Sequence, residues 1–282
     1  MSREDNYRPA SILSSWSDET IVHKPPACST NRDLVVSQPC FIVKRLYRKQ
    51  SESHQQFVKR SSGEYCIASV LSHINVVGAL NLLMEDYSFC MVMNLVEMGD
   101  PLSIIIKSNH LPIVTIISYF KQLAQAANYI QNLGIAHRNI QPNNILIFSG
   151  GCLKLTGFGD AFVFRSPLQN HHLKSQGKVG CLAYQPPEVL PCNEYIDLGY
   201  CASAADIWSM GVVTLHMIQG HQSWSMPCQY HDPDYARFVT HHQHKTSCAI
   251  LSLPPPLRCL IYRILDPNPS SRIDIQQLIA NL

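Results

Sequence analysis

No stretch constrains this chain more than Gly134 to Gly159, which reads GIAHRNIQPNNILIFSGGCLKLTGFG. Apolar runs alternate with polar and glycine-containing breaks, the pattern of a strand–loop–strand segment whose loops are free to carry chemistry. The residues before it show a different period. In LPIVTIISYFKQLAQAANYIQNLG, Ile113, Ile116, Phe120, Leu123, Ala127 and Ile130 recur every three or four positions, and Gly134 stands where a helix leaves through a left-handed residue. This predicts a long helix with one buried face. Its stripe is read as core, with no functional meaning.

Composition narrows the function classes. The 282 residues suffice for one large or two-lobed domain, and 46% of them are apolar, enough for a substantial core. A net charge of +2 gives no argument for nucleic acid or a membrane surface. The eleven cysteines are scattered and never form C-x-x-C, which argues against a zinc site or a redox pair. An odd count without a secretory leader suggests reduced thiols in the cytosol. No apolar run approaches the ~18 residues of a membrane helix, so direct membrane insertion is not expected. The tract His241-His242-Gln243-His244 reads as a solvated loop rather than a metal site.

In chain order, residues 1–18 are polar, serine-rich and aperiodic, and read as a flexible tail ahead of a folded domain at 19–282. ETIVHK, RDLVVSQ and FIVKRLYR read as three short strands, with two more at Val77–Glu85 and Ser88–Val96. Ser53–Ser72 reads as a helix in which Glu64, Ile67, Ala68 and Leu71 share one face. An acid on an apolar stripe needs a partner, and Lys44 is the candidate. The other reading makes Glu64 a surface acid on a helix weakened by Gly63.

These segments carry a resemblance. His137-Arg138-Asn139-Ile140-Gln141-Pro142-Asn143-Asn144 resembles the H-R-D-L-x-x-x-N catalytic loop of protein kinases, and Gly157-Phe158-Gly159 resembles their D-F-G turn. Lys44, closing FIVK, matches the lysine of the V-A-I-K strand, and Glu64 its partner on the following helix. FCMVMNLVEMGDPL resembles the hinge, with Met93 as gatekeeper and Asn94 to Val96 facing adenine; Leu146 matches the residue beneath adenine. Tyr184-Gln185-Pro186-Pro187-Glu188 resembles the A-P-E end of the activation segment. Ala205-Asp206-Ile207-Trp208-Ser209-Met210-Gly211 resembles D-x-W-S-x-G, and Leu265-Asp266-Pro267-Asn268-Pro269-Ser270-Ser271-Arg272-Ile273 resembles L-D-P-x-P-x-x-R. The resemblance implies an α+β bilobal fold: a small β-rich N-lobe with one helix at about 19–96, and a larger, mainly α-helical C-lobe at about 97–282. It further implies that His137 and Phe158 link the lobes, that Asp206 holds the catalytic loop and that Arg272 pairs with Glu188. Arg138 would lie beside the activation segment, either to meet a phosphate on Ser166 or Ser175 or to hydrogen-bond locally. EYCIASVLSHINVV, the Trp224 segment and IYRILDPNPSSRI look like the fungal Ser/Thr kinases that regulate nutrient permeases and salt tolerance.

The chain departs from that family where the chemistry lies. Asn139 stands for the catalytic Asp, Gln141 for the phosphate-steadying Lys and Gly157 for the magnesium Asp; Asn144 is kept but alone. Phosphoryl transfer needs a proton acceptor, held metals and neutralised charge. An amide has no usable basicity, and magnesium prefers carboxylate oxygens that Gly157 lacks. No glycine precedes Gly63, and Pro25 and Pro26 occupy the loop where the family cradles phosphates on backbone N–H groups. Ile42 replaces a small alanine against the adenine ring, narrowing the slot or repacking outward. Asp160 follows the turn but is not expected to replace its metal ligand. The expectation is a pseudokinase that binds protein partners in the cytoplasm, with ATP held weakly at most and magnesium not held. The alternatives are a weak or unconventional Ser/Thr kinase and a metal-independent nucleotide switch.

Overall fold

The computed structural model describes residues 20–23, 40–48, 50, 52–85, 88–95, 99–108, 110–165, 172–190 and 199–282. The expected strand RDLVVSQ, the proline-containing loop before it and the N-terminal tail lie outside the described residues.

The N-terminal part is a four-stranded antiparallel sheet in the order β1-β2-β4-β3, from β1 (Thr20–His23), β2 (Cys40–Leu46), β3 (Asn81–Glu85) and β4 (Ser88–Leu95). β2 and β4 pair antiparallel, with Ile42 opposite Met93 and Lys44 opposite Met91. β3 begins four residues later than the sequence pattern suggests. Val77 donates its N–H to Leu155 O at 2.9 Å instead, and Val76 bridges to Leu155, so the head of that apolar run serves the junction between the two halves of the molecule. One helix, α1 (His54–Ser69), packs beside this sheet. Its start is set by a capping box: Ser53 Oγ accepts from Gln56 N, and Gln56 Oε1 accepts from Ser53 N.

The remainder is larger and mainly helical. A short strand, β5 (Asp100–Pro101), leads into α2 (Leu102–Ser108) and then α3 (Ile113–Asn132). The apolar stripe of α3 is buried, and Gly134 beyond it takes φ +77°. Next come β6 (Ile135–Ala136), β7 (Ile145–Ile147), β8 (Leu153–Leu155) and β9 (Phe162–Val163), forming the β5-β7-β8 and β6-β9 sheets. The strand–loop–strand segment thus carries β6, β7 and β8, with 3-10 turns at Pro142–Asn144 before β7, at Ser149–Gly151 between β7 and β8, and at Phe158–Asp160 leading to β9.

At the centre lies α4 (Ala202–Gln219), apolar on every side and buried along most of its length, the mark of a helix enclosed by protein. α3 packs on it, and α8 (Ile275–Ala280) packs on α3. α5 (Pro233–His244), α6 (Cys248–Leu251) and α7 (Pro255–Ile264) complete the helical half. Trp208 of α4 lies within 6.4 Å, centroid to centroid, of Trp224, Tyr235 and Phe238.

The histidine tract is a correction to the sequence reading. It is not a loop but the last turn of α5, where imidazoles sit favourably against the helix's negative end. His242 is half-buried, with Nε2 2.9 Å from Tyr262 O.

Candidate functional site

Between the two halves, Lys44 Nζ lies 2.8 Å from Glu64 Oε1, joining β2 to α1. The Glu64 carboxylate is buried, so this partner is what makes its charge tolerable there. The glycine-rich turn passes directly against it: a Cβ on Gly159 would stand 2.9 Å from Glu64 Oε2. Met93 is buried on β4, and Leu146 is buried on β7 with Pro101 as its register partner. Val96 lies outside the described residues, as do the side chains of Ile42 and Asn94.

The polar centre is built on Asp206. Its carboxylate accepts the backbone N–H of His137 at 2.6 Å and of Arg138 at 2.7 Å. Burial pushes its pKa up to about 7, against the pull of those two donors. Arg138 takes φ +59°, a strained position for an arginine, and is clamped from both sides because Gln185 Nε2 also donates to its carbonyl at 2.7 Å. His137 is wholly buried. Its ring receives Asn139 N at Nδ1 (3.3 Å) and donates from Nε2 to Thr156 O (2.9 Å), which assigns a neutral ring; burial holds its pKa down to about 4. The same ring meets Phe158 edge-on, centroids 4.9 Å apart.

Around this frame the side chains that would do chemistry are engaged with one another. Asn139 Nδ2 donates to Asp160 Oδ2 at 2.8 Å, and Asn139 Oδ1 accepts from Gln141 Nε2 at 2.9 Å. Asn144 Nδ2 donates to Asn139 O at 2.8 Å. Gly157 takes φ +84°, and a Cβ there would stand 2.7 Å from Asn144 Oδ1. A cleft of about 500 Å³ opens over Asn139, Gln141 and Asp160, closed on the other side by Lys178 to Cys181.

Arg138 also reaches the activation segment. Arg138 donates from Nε to Asp160 O at 2.6 Å and from Nη1 to Ser175 Oγ at 2.7 Å. Ser175 is buried and exchanges two 2.9 Å backbone hydrogen bonds with Tyr200. Of the two serines singled out from sequence, Ser175 is therefore enclosed beside Arg138, and Ser166 lies outside the described residues. At the far end, Arg272 forms a two-pronged pair with Glu188, Nη1–Oε1 2.7 Å and Nη2–Oε2 3.0 Å.

Residues 34–281 match the protein kinase domain family. This chain belongs to the protein kinase family. Serine/threonine-protein kinase hal4 of Schizosaccharomyces pombe is 30% identical over 248 residues, 87% of this chain and 38% of that protein. Serine/threonine-protein kinase HAL4/SAT4 of Saccharomyces cerevisiae is 31% identical over 246 residues, covering 86% and 40%. The nitrogen permease reactivator protein of the same yeast is 32% identical over 188 residues, covering 66% and 23%. The chain spans two fifths or less of the length of each.

As a kinase-family member, the chain retains the frame and has altered the contents. Magnesium, which the family's loop and turn hold between carboxylate and amide oxygens, does not fit the donors present. Gly157 has no side-chain oxygen, Asn144 Oδ1 lies against the space where one would be, and Asp160 is engaged by Asn139. Sequence reasoning undervalued Asp160 and gave Gln185 no role. The first had one legible signal, as the acid that follows the turn; the partnership of Gln185 with Arg138 arises only when distant segments meet.

Proposed function

We propose that this kinase-family chain is a pseudokinase: a two-lobed scaffold that binds protein partners in the cytoplasm and tunes Ser/Thr kinase signalling without ordinary phosphoryl transfer. The state of Asn139 carries this reading. The group at the proton-accepting position is a neutral amide whose donor and acceptor are both committed, to Asp160 and Gln141. Loss of a general base costs about 10²–10⁴ in rate. The ill-fitting donors at Gly157 and Asn144 add to this, though losses within one catalytic unit do not multiply. The frame meanwhile stays assembled through Lys44–Glu64, Asp206 and Arg272–Glu188, which suits a surface presented to partners rather than a site that turns over. The relatives named for kinase activity and for a nitrogen permease support placing those partners in fungal transporter control.

The Lys44–Glu64 contact favours a second reading, a nucleotide switch that holds ATP without metal. Thermal shift with millimolar ATP, with and without magnesium, separates the readings, because even weak binding stabilises by mass action. It is paired with phosphate transfer by highly purified protein and by Lys44→Met. The scaffold reading expects no shift and no transfer that Lys44→Met removes. A metal-independent shift without transfer selects the switch. Transfer that requires magnesium and disappears in Lys44→Met overturns the proposal.

A further inference from the structure

Away from the cleft, a cavity of about 800 Å³ opens between the segment ending at Glu188, the lead into α4 and the turn at 267–270. Pro227, Pro267 and Pro269 line it together with Tyr200, Tyr230 and Tyr235. Proline fixes its own backbone, and Tyr235 is packed into the Trp208 cluster, so the walls are rigid before anything binds. Tyr230 differs: it is 88% exposed at the mouth, a large aromatic face left to solvent.

Two polar observations point to a ligand. Among the described residues the charges of the lining are unbalanced. Glu188 is neutralised by Arg272, which leaves exposed Lys174 with no ion-pair partner among the described residues. At the mouth, Gln229 presents an amide that makes no hydrogen bond among the described residues.

We propose that this cavity docks an extended, proline-containing peptide segment that carries a carboxylate and belongs to a partner protein. Walls of tyrosine and proline suit the polyproline conformation, which arrives pre-extended with its carbonyls unsatisfied. The exposed Gln229 amide is a donor for such carbonyls, and Lys174 is the counter-charge for an acidic side chain. The volume takes a few residues, not a folded domain. A phosphate or nucleotide calls for a stronger anion site than a single exposed lysine provides. None of these residues lies in the Asn139 cleft, so the site stands whether or not the chain transfers phosphate.

Selection of a displayed library of random dodecapeptides on the full chain tests this. The expected winners share proline and an Asp or Glu. A fluorescent peptide of the selected consensus should lose at least tenfold in affinity on Tyr230→Ala and again on Lys174→Glu. Both side chains are exposed, so the melting temperature should not move. Met84→Ala, on strand β3, should bind as the parent does. Winners lacking proline or acid, no winners at all, or a consensus peptide indifferent to Tyr230→Ala and Lys174→Glu would each overturn the proposal. The ATP experiments above do not read this site, so the two ideas fail separately.

Discussion

Replacing Arg272 with alanine asks how much of the fold hangs on one buried guanidinium. Arg272 donates to both oxygens of Glu188, to Asp266 O at 3.0 Å and to Ala204 O at 3.0 Å, and stands 5.1 Å over the Trp208 ring. Its side chain is fully buried and Glu188 is 9% exposed, so solvent screens the pair little. Truncation strands a buried carboxylate and two carbonyls at once. Breaking such a pair by removing one partner costs about 3–5 kcal/mol. With ~2–4 °C per kcal/mol for domains near this size, the melting temperature should fall by about 6–20 °C. Differential scanning fluorimetry of Arg272→Ala, Glu188→Ala and the double variant is the assay. Once the arginine is gone, the second removal relieves an unpaired charge, so the double variant should be less damaged than the sum of the singles. A shift under about 2 °C for Arg272→Ala, or strict additivity, refutes the claim that this pair joins the activation segment to the closing helices.

Ser175→Ala removes the acceptor of a charged hydrogen bond from Arg138 and should destabilise by about 1.5–3 kcal/mol, with earlier proteolytic cutting of the activation segment; an unchanged cutting pattern counts against the clamp. Gly157→Asp restores the family's residue into a left-handed position against Asn144, so it should cost about 1–2 kcal/mol and yield no transfer by itself, a result checked by melting and phosphate-transfer assays. Asn139→Asp alone should likewise restore no measurable transfer, and robust activity from it would remove the argument resting on Gly157. Stability should also fall on acidification. His137 and His216 are held down to about 4 by burial, so the folded state resists protons that unfolded imidazoles take up below about 6.5. Their contribution is lost as pH falls from about 6.5 toward 4. Asp206, raised from 3.8 to about 7, acts oppositely: folded protein keeps a proton there that unfolded chain releases, so its contribution is lost as pH rises through that window. Melting followed from pH 7 to 4 should therefore show a shallower slope for His216→Asn and a steeper one for Asp206→Asn.

Much of the frame was legible because periodicity and spacing determine it. The three- and four-residue stripe of the long helix leads to α3, and the face shared by Glu64, Ile67, Ala68 and Leu71 leads to α1, each within a few residues of the expected ends. Glu64 was readable as inward-facing because burial of an acid demands a nearby cation, and FIVK supplied one. The start of β3 was not readable, because Val76 and Val77 look like strand residues but pair with Leu155 from the other half of the chain. The histidine tract misled for a related reason: it is polar in sequence, yet lies on a helix whose buried face is set by Tyr235, Phe238 and Val239 further back. The substitutions at Asn139, Gln141 and Gly157 were plain in the sequence. That they close on one another was not, because Asn139 meets Asp160 across twenty-one positions and only the folded turn brings them together.

That closure separates framework from chemistry. Asp206 grips the backbone of residues 137 and 138, so it constrains the loop whatever side chain follows at 139. Arg138 donates to the Ser175 hydroxyl of the activation segment, a contact that does not involve the side chain at 139. Glu64 needs Lys44 because it is buried, whether or not a nucleotide is ever bound. Each retained residue is thus explained by what it does for the unliganded fold, and its retention is no evidence of catalysis. At 139 the change is chemical as well as structural: the amide gives up the proton acceptor, and its Nδ2 donates to Asp160 Oδ2, a bond that no carboxylate could make.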